Sequence, residues 1–151
     1  GALSRRGAER LLRDAPAGWL MLLDLDQFRF VNDRGGQAEG DRILREVVQV
    51  WSNVLRQDDM LARFAGEEFL VFLPGAPRHV AARVADRLRG ELSDKVMVRG
   101  LTLTASVGLA AHPGGEAVDE ALEIASAELE RAKDDGCNCA RGAEPSDDRA
   151  A

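Results

Sequence analysis

Arg63-Phe64-Ala65-Gly66-Glu67-Glu68-Phe69-Leu70-Val71-Phe72-Leu73 is the stretch whose reading decides the fold. Apolar runs flank a glycine and two adjacent carboxylates, the pattern of a β-hairpin with an acidic tip. Gly66 permits positive φ and close backbone approach, so a phosphate can lie against that turn. Glu67 and Glu68 repel each other unless a cation or solvent intervenes, and their hard oxygens suit Mg²⁺. Upstream, Trp19-Leu20-Met21-Leu22-Leu23 runs into Asp24-Leu25-Asp26, so a second acidic cluster leaves a buried strand. Acidic strand ends that meet an acidic hairpin are one way to build a metal-dependent phosphoryl-transfer site.

The chain of 151 residues fits one domain, given a usual size of about 150. With 45% hydrophobic residues it can bury a core without disulfide or metal staples. A net charge of −6 argues against a nucleic-acid partner, which calls for a basic stripe, but leaves a nucleotide substrate open. No apolar run approaches the roughly 18 residues of a membrane span. The chain begins without Met, lacks signal-peptide character and reads as a piece of something longer. Cys137 and Cys139 are too close for a good disulfide, and His79 and His112 are distant in sequence. They read as reduced and incidental, as in a cytoplasmic protein.

A weak helical pattern covers 3–14, and the run 19–25 is short and continuous, as in a central strand covered on both faces. Residues 32–37 form a polar, glycine-rich loop. Asp41 then opens an amphipathic helix with Ile43, Leu44, Val47, Val48, Trp51 and Leu55 inward. After the hairpin at 60–73, Pro77 starts a helix carrying Ala81, Val84, Ala85 and Leu88. Residues 96–98 and 101–109 make a second hairpin across an Arg99-Gly100 turn. Its longer arm alternates Leu101, Leu103, Ala105, Val107 and Leu109 with Thr102, Thr104, Ser106 and Gly108, giving one core face. His112 to Gly115 is a loop, and a last helix spans about 117–133, stopped by Gly136. From Ala140 onward the composition is polar without periodicity and reads as a disordered tail, 140–151, after a domain at 1–139. The fold class is α/β (α+β), a mostly antiparallel mixed sheet of about five strands flanked by helices.

Several stretches together resemble the GGDEF family of diguanylate cyclases. Ala65 to Phe69, AGEEF, is similar to its name-giving motif, and Asp24 to Asp33 resembles its DxDxFKxxND segment. Gly36 to Asp41 is similar to GHxxGD, and Ala125 to Asn138 to ADxALYxAKxxGRN, so the likeness runs from Gly1 to about Asn138. The resemblance implies a cyclase domain related to polymerase palms. In such domains two copies face each other, each holding one GTP, and close cyclic di-GMP with release of pyrophosphate, so a homodimer is required.

Carried over residue by residue, Asp24 and Glu67 match metal-binding carboxylates, with the Leu25 carbonyl as a backbone ligand for Mg²⁺ or Mn²⁺. Glu68 matches an accessory ligand or a base for the attacking hydroxyl. Asn32 and Asp41 match the pair that reads guanine, whose N1–H and N2–H donors suit a carboxylate and an amide where adenine has no such pair. Gln37 and Gly66 belong to the same substrate site, Lys133 matches a phosphate-binding lysine, and Arg29 stands where the family has lysine. Each has a plainer reading: strand-end solvation for Asp24 and Asp26, a polar turn at Glu67-Glu68, an N-cap at Asp41, turn chemistry at Asn32-Asp33, solvated cations at Arg29 and Lys133. Departures are Ala65 for the motif's first glycine, Gln37 for histidine, Glu130 for tyrosine and Cys137 for a phosphate-binding arginine. Ala65 costs roughly 1–2 kcal/mol if its φ is positive and little otherwise.

Arg56-Gln57-Asp58-Asp59 has the pattern and spacing of the family's RxxD inhibitory site, with Arg87 matching a further arginine. Arginine stacks on and bidentately bonds guanine, and aspartate accepts from its N–H groups. A charged helix end also generates RxxD. The sequence therefore leaves two expectations: an enzyme inhibited by its product, or a silenced module that binds GTP or cyclic di-GMP. An upstream sensory region is expected outside this stretch.

Overall fold

Leu20 and Leu22 point to one side of the central strand and Met21 and Leu23 to the other, and all four are buried. That is why the run is continuously apolar: helices cover both faces. The computed structural model describes residues 2–144. In chain order the elements are β1 (Leu3–Ser4), α1 (Arg5–Arg13), β2 (Gly18–Leu25), α2 (Phe28–Val54), β3 (Met60–Ala65), β4 (Glu68–Pro74) and α3 (Arg78–Lys95). They continue with β5 (Met97–Val98), β6 (Leu101–Thr102), β7 (Ala105–His112), a 3₁₀ turn (Gly115–Ala117), α4 (Val118–Asp134) and β8 (Ala140–Arg141).

A six-stranded sheet has the order β1-β3-β4-β2-β7-β8. The three inner pairings are antiparallel, and the two edge pairings, β1 with β3 and β7 with β8, are parallel. The mostly antiparallel sheet with flanking helices is as the sequence implies, though short edge strands raise the count from about five. Helices α2 and α3 pack on one face around Trp51, Phe69 and Leu88. Trp51 Nε1 donates to the Leu88 carbonyl at 3.0 Å and its ring meets Phe69 edge-on. Helices α1 and α4 cover the other face with Leu12, Ala121, Ala125 and Leu129.

Several expectations change. Residues 32–37 are not a loop: helix runs from Phe28 and is broken only at Gly36, whose φ of 79° and ψ of 176° no helix accommodates. Asp41 therefore lies inside the second segment and caps nothing; the residue preceding α2 is Gln27, itself left-handed at φ 57°. Next, the expected arm 101–109 divides. Only Val98 and Met97 pair with Leu101 and Thr102, while 105–112 joins the main sheet beside β2. Both faces of β7 are buried, because its small positions receive α4: a Cβ on Gly108 would stand 2.2 Å from the Ala125 carbonyl. Small residues there mark close helix approach, which alternation alone reads as a solvent face. His112, expected in a loop, ends β7 buried beneath α1, with Nε2 3.1 Å from the Leu12 carbonyl oxygen. Lastly, Ala140–Arg141 is a parallel edge strand and Ala143 is buried, so the expected disordered tail does not begin at 140; positions 145–151 lie outside the described residues.

Candidate functional site

Strand β2 ends, β4 begins and the β3–β4 turn closes at one end of the sheet. Asp24 and Glu68 are register partners on adjacent strands, and the Leu25 amide donates to the Glu67 carbonyl at 3.2 Å. Gly66 has φ +38°, and Arg63 Nε donates to its carbonyl at 2.9 Å, bracing the turn. Ala65 is not among the positive-φ residues and pairs with Glu68 across a bulge, so alanine at the motif's first position is accommodated without that strain.

Electrostatics at this end are those of crowded carboxylates. Burial lifts the Asp24 carboxyl above its ordinary range; the Lys133 ammonium, 2.7 Å from Oδ2, opposes the lift, while Glu67 and Asp26 add to it. Burial and then the charge of Asp24 lift Glu68 likewise, with Lys133 and Arg5 opposing. Burial pulls Lys133 down, but the bond to Asp24 and the charges of Asp24 and Glu130 hold it above its ordinary value. Glu130 itself stands 3.6 Å from Lys133.

Asp26, read from sequence as part of the acidic cluster, is committed elsewhere. It accepts from Ser106 Oγ at 2.6 Å, Thr104 Oγ1 at 2.7 Å and the Asn138 amide at 3.0 Å. It is a clasp joining β2, β7 and the turn after α4.

Beside this end lies a cleft of about 420 Å³, lined by Phe28, Asn32, Gln37, Asp41, Leu44, Arg63, Gly66 and Glu67. The structure thus gathers Asn32, Gln37 and Asp41 of α2 with Gly66 and Glu67 of the hairpin turn, two groups that lie far apart in the sequence. Arg29 is exposed on the first turn of α2 and does not line the cleft, and Lys133 meets the site through Asp24. Sequence reasoning missed Arg63, although it opens the hairpin stretch and a strand arm next to an acidic turn is a natural place for a bracing cation.

The donor set fits a hard divalent cation. One ammonium sits among Asp24, Glu67 and Glu68, leaving the cluster short of positive charge. Among the described residues no group of three or more His, Cys, Asp or Glu side chains converges on one metal position. A cation held there by two carboxylates and a backbone carbonyl would still take water or phosphate oxygens, the mode Mg²⁺ favours.

A second groove, of about 310 Å³, is lined by Arg56, Asp59, Pro77, Arg83 and Arg87 among others. Asp59 Oδ2 accepts from the Arg56 amide at 2.8 Å, fixing the turn. The structure brings Arg56, Asp59 and Arg87 together, and adds Arg83, one helical turn before Arg87 on α3, which the sequence reading left unassigned.

Fold and sheet-end site together define a nucleotidyl-cyclase type of domain. Residues 3–139 match the family described as diguanylate cyclase, GGDEF domain, and the chain belongs to that family. It is 37% identical over 120 residues to the diguanylate cyclase DgcM of Escherichia coli, covering 79% of this chain and 29% of DgcM. It is 38% identical over 125 residues to the cyclic di-GMP phosphodiesterase NbdA of Pseudomonas aeruginosa, covering 81% of this chain but 16% of NbdA. The chain thus spans less than a third of these curated relatives. The GGDEF domain of DgcB from Caulobacter crescentus, solved with c-di-GMP, superposes with a TM-score of 0.87 at 29% identity, covering 95% of this chain and 92% of that one. No helix among the described residues is long and apolar enough to cross a membrane.

Proposed function

We propose that this domain is a divalent-cation-dependent diguanylate cyclase. The observation that carries the reading is the cleft in which Asn32, Gln37, Asp41 and Gly66 meet Glu67, next to the Asp24–Lys133 pair. Asn32 and Asp41 bind the guanine edge, with Asp41 accepting from N1–H and N2–H, so ATP is disfavoured. Gly66 admits phosphate against the turn, Lys133 and Arg29 hold phosphate charge, and Gln37 supplies a further polar contact. Asp24, Glu67 and the Leu25 carbonyl would hold Mg²⁺ or Mn²⁺, which would supply charge neutralisation at the triphosphate. Glu68, whose proton affinity burial raises, takes the proton from the 3′-hydroxyl as its oxygen bonds to the α-phosphorus of the facing GTP and pyrophosphate leaves. Both GTP molecules must be presented in this way, so the working unit is a homodimer. Its substrate places it in the cytoplasm, with control by a sensory region elsewhere in a longer protein.

The second groove is read as a product site: guanine stacks on Arg56, Asp59 accepts from it, and Arg83 and Arg87 meet phosphate. Calorimetric titration of cyclic di-GMP into wild type and Arg56→Ala tests this; equal binding by both would end the idea.

A second reading, a GTP- or cyclic di-GMP-binding module without turnover, is favoured by two observations. Cys137 occupies the place of a phosphate-binding arginine, and Glu130 competes for Lys133. Incubation of dimeric protein with GTP and Mg²⁺, followed by chromatography, separates the two. Cyclic di-GMP that vanishes in Glu67→Gln supports the cyclase; GTP binding without product supports the module.

A further inference from the structure

The β5–β6 ribbon ends in a two-residue turn in which Arg99 has φ 52° and Gly100 φ 82°. Two positive φ values define a type I′ turn, whose first central position normally takes Asn, Asp or Gly. An arginine held there costs roughly 1 kcal/mol of backbone strain. Its side chain shows what offsets the strain. Arg99 Nη2 donates to the Arg34 carbonyl at 2.8 Å and lies 3.6 Å from Glu39 Oε2. These partners stand on opposite sides of the break at Gly36 in α2. Arg34 lies in the last turn of the first helical segment, where a carbonyl needs a donor from outside its own helix. Glu39 belongs to the second.

The break sets the geometry of the cleft, because Asn32 is on the first segment and Gln37 and Asp41 are on the second. A Cβ on Gly40 would collide with Asn32 Oδ1, so the first segment packs closely against the second at this point. We infer that Arg99 is a positioning residue: by bridging Arg34 and Glu39 across the Gly36 break it fixes Asn32 relative to Asp41 and so sets discrimination between guanine and adenine nucleotides. The inference rests on the reading of the cleft as a GTP site. Arg99 itself is not among the cleft-lining residues.

Arg99→Gly is the informative variant, since glycine relaxes the turn while removing the bridge. Displacement of a fluorescent GTP analogue by GTP and by ATP is measured for wild type, Arg99→Gly, Arg99→Lys, Asn32→Ala and the Asn32→Ala/Arg99→Gly double variant. Loss of positioning should weaken GTP about tenfold in Arg99→Gly and leave ATP unchanged, with lysine intermediate because an ammonium cannot hold both partners in one plane. The double variant should bind as weakly as Asn32→Ala alone, because the effect passes through Asn32. Equal losses for GTP and ATP, unchanged GTP binding in Arg99→Gly, or additive losses in the double variant would overturn the inference. A wild type without preference for GTP would overturn the reading of the cleft and this inference together, and that outcome is visible before any Arg99 variant is compared.

Discussion

Asp26→Ala should cost this domain about 3 kcal/mol. The carboxylate accepts from Ser106 Oγ, Thr104 Oγ1 and the Asn138 amide, and the three donors do not lose equally. Ser106 is fully buried, so its hydroxyl is left without a partner at a cost of about 1–3 kcal/mol. Thr104 is partly exposed and Asn138 exposed, so water replaces the carboxylate there at about 0.5–1 kcal/mol each. Urea denaturation should show a lower midpoint with unchanged slope, and the melting temperature should fall by roughly 6–12 °C. Adding Ser106→Ala to Asp26→Ala should recover part of the loss, since removing both partners of a buried pair costs less than orphaning one. If Asp26→Ala melts like wild type while binding Mg²⁺ and GTP more weakly, Asp26 belongs to the metal site and the clasp assignment is wrong.

Gly66→Ala should lose about 1 kcal/mol because the turn holds φ at +38°, whereas Ala65→Gly should lose a few tenths to about 1 kcal/mol through chain entropy; thermal melts of both decide it. Mg²⁺ alone should bind weakly, and GTP should strengthen it, because the side chains supply too few ligands without phosphate; calorimetry with and without GTP checks this. Burial pushes Glu144 up, but the Gly142 amide, its own amide and Arg131 outweigh it and hold the carboxyl below 4.5. A lowered folded value means stability present above the unfolded value and lost as pH falls through the folded one. Protection factors of the amides at 140–144 should therefore fall on acidification through that value, and Glu144→Gln should lower them at neutral pH too.

The local patterns of the chain settled much of this. A continuous apolar run bounded by turns, a glycine followed by two carboxylates and a 3.6-residue period after Gly40 reflect steric and burial rules that act within a dozen residues. The hairpin, the strand at 18–25 and the amphipathic helices were legible for that reason. What the order of residues left open depends on contacts between distant segments. The 101–109 arm looked one-sided because Ser106 and Gly108 are small, and only the approach of α4 makes those positions buried. Asp26 looked like Asp24, and only Ser106, Thr104 and Asn138, brought from about 80 and 112 positions away, turn it from a free carboxylate into a clasp. Asp41 reads both as a helix cap and as a partner of Asn32, and only the Gly36 break, which puts it inside a helical segment lining the cleft, removes the first. Propensity and periodicity are properties of neighbours in the chain, whereas the partner of a given side chain is chosen by the packing of the whole sheet.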